Sequence, residues 1–366
     1  MTHAPAMLAL VTDAFGGRGG IAQYNRDFLR TLAAPGSEGI AVSPITVLPR
    51  HAPDQVAPPS GIQQMPPRPG RVAYALKALA LASTRHIDLV FCGHLYMAPL
   101  AAAIARLRGA KLVIQTHGIE AWPRPSWLQR AALEAADLVL CVSRYTRAVV
   151  LGWAAIAPER VLVLPNTVDE KFTPGDGAAL RAKWSLEGKR VLLTVGRMDA
   201  RERYKGHDRV IKALPHLVAG GHDVVYVVVG EGDDVARLEA MAFETGVADR
   251  LRFVGAVGRE TLVNAYRMAD LFVMPSTGEG FGIAFIEAMA SGTPALGLAV
   301  TGARDALADG ELGTAVGEGD LVEAIAKLLA QAKADPLCLA ESVRIRFGRA
   351  AFDACAFAAM HRLGEA

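Results

Sequence analysis

The chain has 366 residues, enough for two cores of ordinary size, and 52% apolar residues with 36 glycines exclude a disordered polymer. A formal charge of +2 hides an asymmetry: 16 Lys and Arg face 9 Asp and Glu up to residue 168, and 23 face 28 beyond it. The basic first half calls for an anionic partner, a membrane lipid or a phosphate-bearing acceptor. Its cations are scattered and carry no nucleic-acid motif, which argues against RNA and DNA.

The opening residues Met1-Thr-His-Ala-Pro5 lack the basic head and apolar run of a signal peptide. No segment reaches the roughly 18 uninterrupted apolar residues of a membrane span. Cys92, Cys141, Cys338 and Cys355 lie far apart. The expectation is a reduced cytosolic protein.

In chain order, a predicted strand over 7–12 passes through Phe15-Gly-Gly-Arg-Gly-Gly20 into a helix over 20–32, with Ile21, Tyr24, Phe28 and Leu29 on one face. Strands follow at 40–48, 89–92, 111–116, 138–142 and 161–164, with helices at 72–82, 99–107, 127–136 and 145–154. Residues 49–69 hold seven of the twenty prolines and read as a mobile, extended surface loop, because proline supplies no ladder donor. After residue 174 the scheme repeats. Strands at 190–195, 224–229, 251–254, 271–274 and 293–296 alternate with helices at 209–218, 235–245, 260–269, 283–290 and 321–332, and 342–363 is helical in composition. This alternation predicts an α/β fold of two Rossmann-like halves, each a mainly parallel sheet with helices on both faces.

The most informative segment runs from Met274 to Pro294. Glu279 and Glu287 stand eight residues apart, one in a loop and one inside a helix. Gly278, Gly280 and Gly282 let a ligand approach the main chain, and the free N–H groups of the helix start favour an anion. Glu287 lies among Ile283, Ala284, Ile286, Ala288 and Met289, company in which a carboxylate is seldom idle. An anion between two carboxylates suggests a phosphate flanked by hydroxyl-rich groups, the shape of a nucleotide-sugar. The plain alternative is a strand-to-helix turn with solvated acids.

This spacing, set in Glu279-Gly-Phe-Gly-Ile283 and followed by Ala290-Ser-Gly-Thr-Pro294, resembles the glutamate motif of glycosyltransferase family 4, retaining enzymes of GT-B architecture. The resemblance covers most of the chain. It implies two Rossmann-like domains facing across a cleft, 1–169 for the acceptor and 170–345 for the nucleotide-sugar, with 346–366 as a helix returning to the first. Leu164-Pro-Asn-Thr-Val-Asp169 is similar to the family's Pro-Asn-Gly-Val-Asp interdomain segment, with Thr167 in the glycine position, where φ > 0 is uncomfortable.

Arg197, ending the strand Val191-Leu-Leu-Thr-Val-Gly196, can grip a phosphate with two N–H groups, and Lys205 adds a point charge. The pair resembles the family's diphosphate clamp. With the amides of Phe281, Gly282 and Ile283 it would stabilise a leaving diphosphate without metal. No Asp-x-Asp and no His or Cys cluster of ligand spacing appears, so no metal and no cofactor is expected, the sugar donor being a co-substrate. Asp233 and Asp234, adjacent at a helix start, read as a cap.

A lone glycine-rich loop such as 16–20 often marks a dinucleotide site, but no acid follows near Leu48 to hold a ribose. The resemblance instead places Gly19 and Gly20 beside the donor and toward the acceptor. His117 ends a buried strand; the family resemblance implies that it hydrogen-bonds a donor-sugar hydroxyl, against the plain reading of a structural histidine. His94 is an acceptor-side candidate. Gly230 lies in a turn whose glycines let main chain approach a flat base, and Val257 falls at the family's base-contacting strand end. Gly258 and Arg259 occupy positions where some guanine readers carry an acid, so the base stays open. Trp122, Arg124, Trp127 and Arg130 suit either a membrane interface or packing under the loop, with Trp122 on the acceptor side.

The expected protein is a cytoplasmic, metal-independent retaining hexosyltransferase using a nucleoside-diphosphate sugar of the glucose or mannose type. Arg197, Lys205, Glu279 and His117 are its catalytic candidates, and Glu287 would hold the ribose. The expected acceptor is a lipid-linked oligosaccharide or glycolipid of surface polysaccharide synthesis, reached by peripheral contact with the inner membrane face. The rivals are a nucleotide-sugar epimerase of the same two-domain plan, a non-catalytic nucleotide-sugar-binding protein and, more remotely, an NAD dehydrogenase.

Overall fold

Runs of β-branched and aliphatic residues too short for helices become central parallel strands, buried on both faces. The computed structural model describes residues 5–34, 42–54, 56–331 and 335–365, and its contacts divide the chain into two units. One comprises Met1–Thr167 with Ala350–Ala366, the other Val168–Arg349.

The first unit holds β1 (Met7–Val11), β2 (Ile45–Pro49), β3 (Ile62–Gln64), β4 (Leu89–Cys92), β5 (Lys111–Thr116), β6 (Leu138–Cys141) and β7 (Val161–Val163), in the order β3-β2-β1-β4-β5-β6-β7. All its paired neighbours are parallel. The connecting helices are α1 (Gly20–Ala33), α2 (Arg71–Thr84), α3 (Ala98–Arg108), α4 (Trp127–Glu134) and α5 (Arg144–Trp153). Strand order reverses between β1 and β4, and such a switch opens a crevice at the carboxyl edge of the strands.

The second unit runs α6 (Ala178–Lys183), β8 (Arg190–Val195), α7 (His207–Ala219), β9 (Val224–Val229), α8 (Val235–Glu244), β10 (Leu251–Phe253) and α9 (Arg259–Met268). It continues through β11 (Leu271–Met274), α10 (Ile283–Ala290), β12 (Ala295–Leu298), α11 (Ala303–Ala306), β13 (Thr314–Val316), α12 (Leu321–Ala330) and α13 (Pro336–Phe347). Its sheet is parallel throughout, in the order β10-β9-β8-β11-β12-β13, with the switch between β8 and β11. Helix α14 (Arg349–Glu365) packs in the first unit, where Phe352 meets the Tyr24 ring edge-on and Asp353 accepts a hydrogen bond from Thr31.

Several expectations are corrected. The proline-rich segment is not a free loop. Its proline-free stretch pairs as β3 with β2, and the Gln64 amide both donates to and accepts from the Phe15 backbone. The strand expected over 40–48 begins only at Ile45, after Pro44, which has no N–H for the ladder; residues 40 and 41 lie outside the described residues. The C-terminal stretch is two helices broken at Gly348. Asp234 does not cap α8; its carboxylate pairs with Arg203 and Arg237, while Asp233 accepts from the Ala200 N–H. Thr167 is not among the residues with positive φ, so no strain follows from the missing glycine.

Candidate functional site

Both candidate regions lie at carboxyl edges of sheets. In the second unit, β8 delivers Arg197 just past its end, and a 3₁₀ segment, Ala200–Lys205, returns Lys205 to the same edge. The Lys205 chain lies over Gly196, and its Nζ stands 3.5 Å from Oε1 of Glu279, whose loop follows β11. The imidazole of His207 bridges the Tyr226 hydroxyl (3.2 Å) and the Arg197 carbonyl (3.3 Å), so a buried polar chain fixes the backbone that carries the arginine.

Glu202 completes this cluster. Its carboxylate accepts a short hydrogen bond from Arg197, and its other oxygen is 4.0 Å from Lys205 Nζ. The two cations expected to grip a diphosphate are thus already partnered by Glu202 and Glu279. An incoming phosphate must displace or share those carboxylates.

The Glu279 loop is braced from outside. Thr301, at φ 52 in a region that non-glycine residues seldom adopt, accepts from the Glu279 N–H through Oγ1, and the Gly302 N–H donates to the Glu279 carbonyl at 2.9 Å. Gly282, left-handed at φ 98, turns the chain into α10, and no side chain caps that helix start. The first-turn N–H groups of α10 therefore present a site for an anion beside Lys205 and Glu279.

One turn into α10, Glu287 is only 9% exposed. Its Oε2 accepts from the Tyr266 hydroxyl at 2.8 Å, leaving the other oxygen for a further donor. Burial pushes its carboxyl up to about 7, partly opposed by that hydrogen bond and by Arg259, which is itself paired with Asp169. A buried carboxylate shifted in this way, with one specific hydrogen-bond partner, is a functional-site candidate.

Gly230 and Val257 approach the same edge through the loops after β9 and β10, where the Gly230 N–H donates to the Gly255 carbonyl. A Cβ at Gly230 would sit 2.0 Å from the Gly196 oxygen, and one at Gly232 would sit 2.1 Å from the Met198 backbone. Close packing of the two strand ends leaves no room for a side chain at either glycine.

In the first unit, β4 and β5 bring His94 and His117 together, with ring centroids 6.2 Å apart. His117 Nε2 is 2.9 Å from the Gly93 carbonyl, which can only accept, so Nε2 carries the proton and Nδ1 is an acceptor. Its backbone N–H donates to the Glu120 carboxylate. His94 Nδ1 accepts from the Tyr96 N–H. Burial lowers both imidazoles to about 4, so both are neutral across the physiological range. Neither carries charge there. Tyr24, on the helix opened by Gly19 and Gly20, sets its ring edge against His117 at 5.3 Å, and a Cβ at Gly19 would meet nothing.

The two tryptophans separate. Trp122 packs edge-on against Tyr145 and donates its N–H to Thr146, whereas Trp127 is 76% exposed at the start of α4. Asp13, after β1, is raised by burial and faces His51 and Arg26; sequence reading passed over it. Among the described residues no group of three or more His, Cys, Asp or Glu could hold a metal ion, and no helix is long and apolar enough to cross a membrane.

Comparison with known proteins follows the same division. A family model described as "Glycosyltransferase Family 4" matches residues 18–172, and one described as "Glycosyl transferases group 1" matches residues 177–352. The chain is 34% identical over 272 residues to the GDP-mannose-dependent alpha-(1-6)-phosphatidylinositol monomannoside mannosyltransferase of Mycolicibacterium smegmatis, covering 70% of each chain. It is 36% identical over 248 residues to the D-inositol 3-phosphate glycosyltransferase of Geodermatophilus obscurus, covering 63% of this chain and 53% of that one. Among solved structures, Anabaena Alr3699/HepE in complex with UDP and glucose matches with a TM-score of 0.74 at 20% identity, over 96% of this chain and 97% of that one. The lipopolysaccharide outer core galactosyltransferase WaaB matches at 0.72 and 17%, over 97% and 99%. At such identities the structural matches speak for the fold alone.

Proposed function

The chain belongs to glycosyltransferase family 4 and is a glycosyltransferase with the GT-B pair of Rossmann-like domains; we propose that it moves a hexose from a nucleoside-diphosphate sugar to an acceptor hydroxyl with retained configuration. The observation that carries this reading is the convergence of Arg197, Lys205, Glu279 and the uncapped start of α10 at one sheet edge, with Glu287 buried one turn further on.

In the proposed reaction the bond from the anomeric carbon to the diphosphate oxygen breaks, and the acceptor oxygen attacks on the same face. The acceptor proton passes to the departing phosphate, so no side-chain base is required. Arg197, Lys205 and the amides of Phe281, Gly282 and Ile283 stabilise the leaving charge, a preorganised electrostatic effect that needs no metal. Glu279 holds sugar hydroxyls and Glu287 the ribose diol. The loops of Gly230 and Val257 flank the base, and His117, through its Nδ1 acceptor, orients a sugar hydroxyl. Gly19, Gly20, His94 and Trp122 shape the acceptor side.

The mannosyltransferase relatives make GDP-mannose the first donor to test, and the phosphatidylinositol monomannoside in their names supports a lipid-linked or glycolipid acceptor. Thermal shift with GDP-mannose, UDP-glucose and ADP-glucose identifies the donor, since a bound ligand raises the melting point by mass action. NMR of the product anomer then reads the stereochemistry. Stabilisation by none of the donors defeats the reading. Interconversion of the donor sugar without transfer makes the protein an epimerase, and binding without turnover of any kind makes it a non-catalytic subunit.

A further inference from the structure

His207 opens α7 beside the Arg197 backbone and is only 5% exposed, yet the proposed reaction gives it no part. It stands in a chain of four contacts. The Thr194 hydroxyl donates to the Val273 carbonyl, and the Tyr226 hydroxyl meets Thr194 Oγ1 at 2.8 Å. His207 Nδ1 lies 3.2 Å from the Tyr226 hydroxyl, and Nε2 lies 3.3 Å from the Arg197 carbonyl. Both ends of the chain are carbonyl oxygens, which only accept. Every contact therefore needs its own hydrogen from the side chains between them.

Thr194 and Tyr226 supply one hydrogen each and a neutral imidazole one more, so four contacts share three hydrogens. Thr194 gives its hydrogen to Val273, and Tyr226 then gives its own to Thr194. The Tyr226 oxygen is left to accept from Nδ1, and the Arg197 carbonyl to accept from Nε2. A neutral ring serves one of them and sets lone pairs against each other at the other contact, which is costly for buried polar groups. An imidazolium serves both. Its charge is what the free protein resists: burial lowers the ring to about 4, and Lys205 adds to the effect. The Arg197 carbonyl, Asp208 and Asp234 oppose it, but Asp234 is already paired with Arg203 and Arg237. Tyr226 is kept neutral by burial.

We propose that His207 is a positioning residue that takes a proton from solvent when a diphosphate binds at Arg197 and Lys205, and returns it when the diphosphate leaves. The anion offsets the Lys205 charge that disfavours the imidazolium, and it brings more than one negative charge of its own. Charges in a partly buried site are weakly screened, so the ring responds to that change. Once protonated, Nε2–H holds the Arg197 carbonyl while Nδ1–H holds the Tyr226 oxygen. The clamp then has a third cation behind Arg197, and only while leaving charge is present to be stabilised. In the empty site that cation is absent and does not repel Lys205. Both ring nitrogens are committed to Tyr226 and Arg197, so His207 acts through the backbone that carries the arginine. This inference rests on the reading of Arg197 and Lys205 as a diphosphate clamp, but proton uptake is measured without sugar transfer.

Pyrophosphate is the probe, because it has no ribose and so leaves the opposite proton exchange at Glu287 out of the count. Nitrogen NMR of the full chain carrying ¹⁵N-histidine, at about pH 5.5, should show one bare and one protonated nitrogen on His207 in the free protein. At saturating pyrophosphate both nitrogens should be protonated. Calorimetry in buffers of different ionisation enthalpy should find up to about one more proton taken up by wild type than by His207→Gln, whose amide can donate to Arg197 but cannot titrate. Tyr226→Phe removes the acceptor for Nδ1–H and should lose most of the same uptake. Because uptake strengthens binding as pH falls, the affinity of wild type relative to His207→Gln should rise by up to roughly tenfold per pH unit below about pH 6.5. A histidine that only fills space would leave that ratio flat. A bare nitrogen that persists at saturation overturns the proposal, as does an imidazolium already present in the free protein; both are read on wild type and need no variant to fold. Absence of pyrophosphate binding would remove the clamp reading together with this inference, whereas binding to a ring that stays neutral removes the inference alone.

Discussion

Replacing Glu287 by glutamine is expected to stabilise the protein and weaken its donor site together. The carboxyl is buried, and its folded value of about 7 lies above the ordinary glutamate value of 4.5. Between these values the folded protein keeps the proton while the unfolded chain has lost it. The folded state then binds more protons, so stability falls as pH rises from about 4.5 to about 7 and stays low above that. A gap of about 2.5 units corresponds to at most about 3 kcal/mol. Glutamine has the same shape, its carbonyl can still accept from Tyr266, and it removes the charge.

At pH 8 Glu287→Gln should therefore raise the melting point of the second unit by up to roughly 6 to 12 °C, given 2–4 °C per kcal/mol for a unit of this size. Near pH 5 the difference should shrink to about 1 kcal/mol or less. The same variant should bind nucleoside diphosphate roughly 10 to 100 times more weakly, because a ribose diol loses a charged acceptor. In the wild type, binding near pH 6 should release a proton from Glu287, visible as a buffer-dependent enthalpy in calorimetry. Melting curves at both pH values and titration of GDP and UDP settle the matter. A variant that melts lower than wild type at pH 8, or whose effect does not vary with pH, refutes the argument and makes Glu287 a structural residue.

Arg197→Ala and Lys205→Ala should each reduce turnover by about 10²-fold or more, as for other removed stabilisers of leaving charge; near-normal turnover in both removes them from the reaction. Glu202→Gln removes the carboxylate that Arg197 hydrogen-bonds, leaving it Asp199 at 3.7 Å and Lys205 with Glu279, so calorimetry should show nucleoside diphosphate binding about tenfold tighter, with product release slower. Weaker binding would instead mean that Glu202 holds Arg197 in position. Activity should survive excess EDTA, and loss restored only by Mg²⁺ or Mn²⁺ would contradict a clamp that works alone. Because His94 and His117 are held neutral with values of about 4, the rate should show no inflection from either between pH 5.5 and 8, and an inflection near 6.5 abolished by His117→Asn would show that burial does not control that ring.

What sequence could reveal here is location along the chain; what it could not reveal is which partner each charge takes. Arg197, Lys205, Glu279 and Glu287 were legible because each follows or opens an element marked by an apolar run or a glycine turn, and parallel strands put such ends on one edge. The partners of these groups are remote in sequence or hidden inside helices. Tyr266 reads as one more core residue of α9, yet its hydroxyl holds Glu287, and Thr301 braces Glu279 from 22 residues away. Asp234 was misread because adjacency to a helix start suggested a backbone cap, while Arg237, three residues on, and Arg203, distant in sequence, took the carboxylate. Strand β3 was missed because prolines on both sides outweighed a proline-free window of six residues. In each case the missing term is a through-space one. For Glu202 it also decides chemistry, since a carboxylate already resting on the clamp makes phosphate binding an exchange of anions and not a capture by free cations.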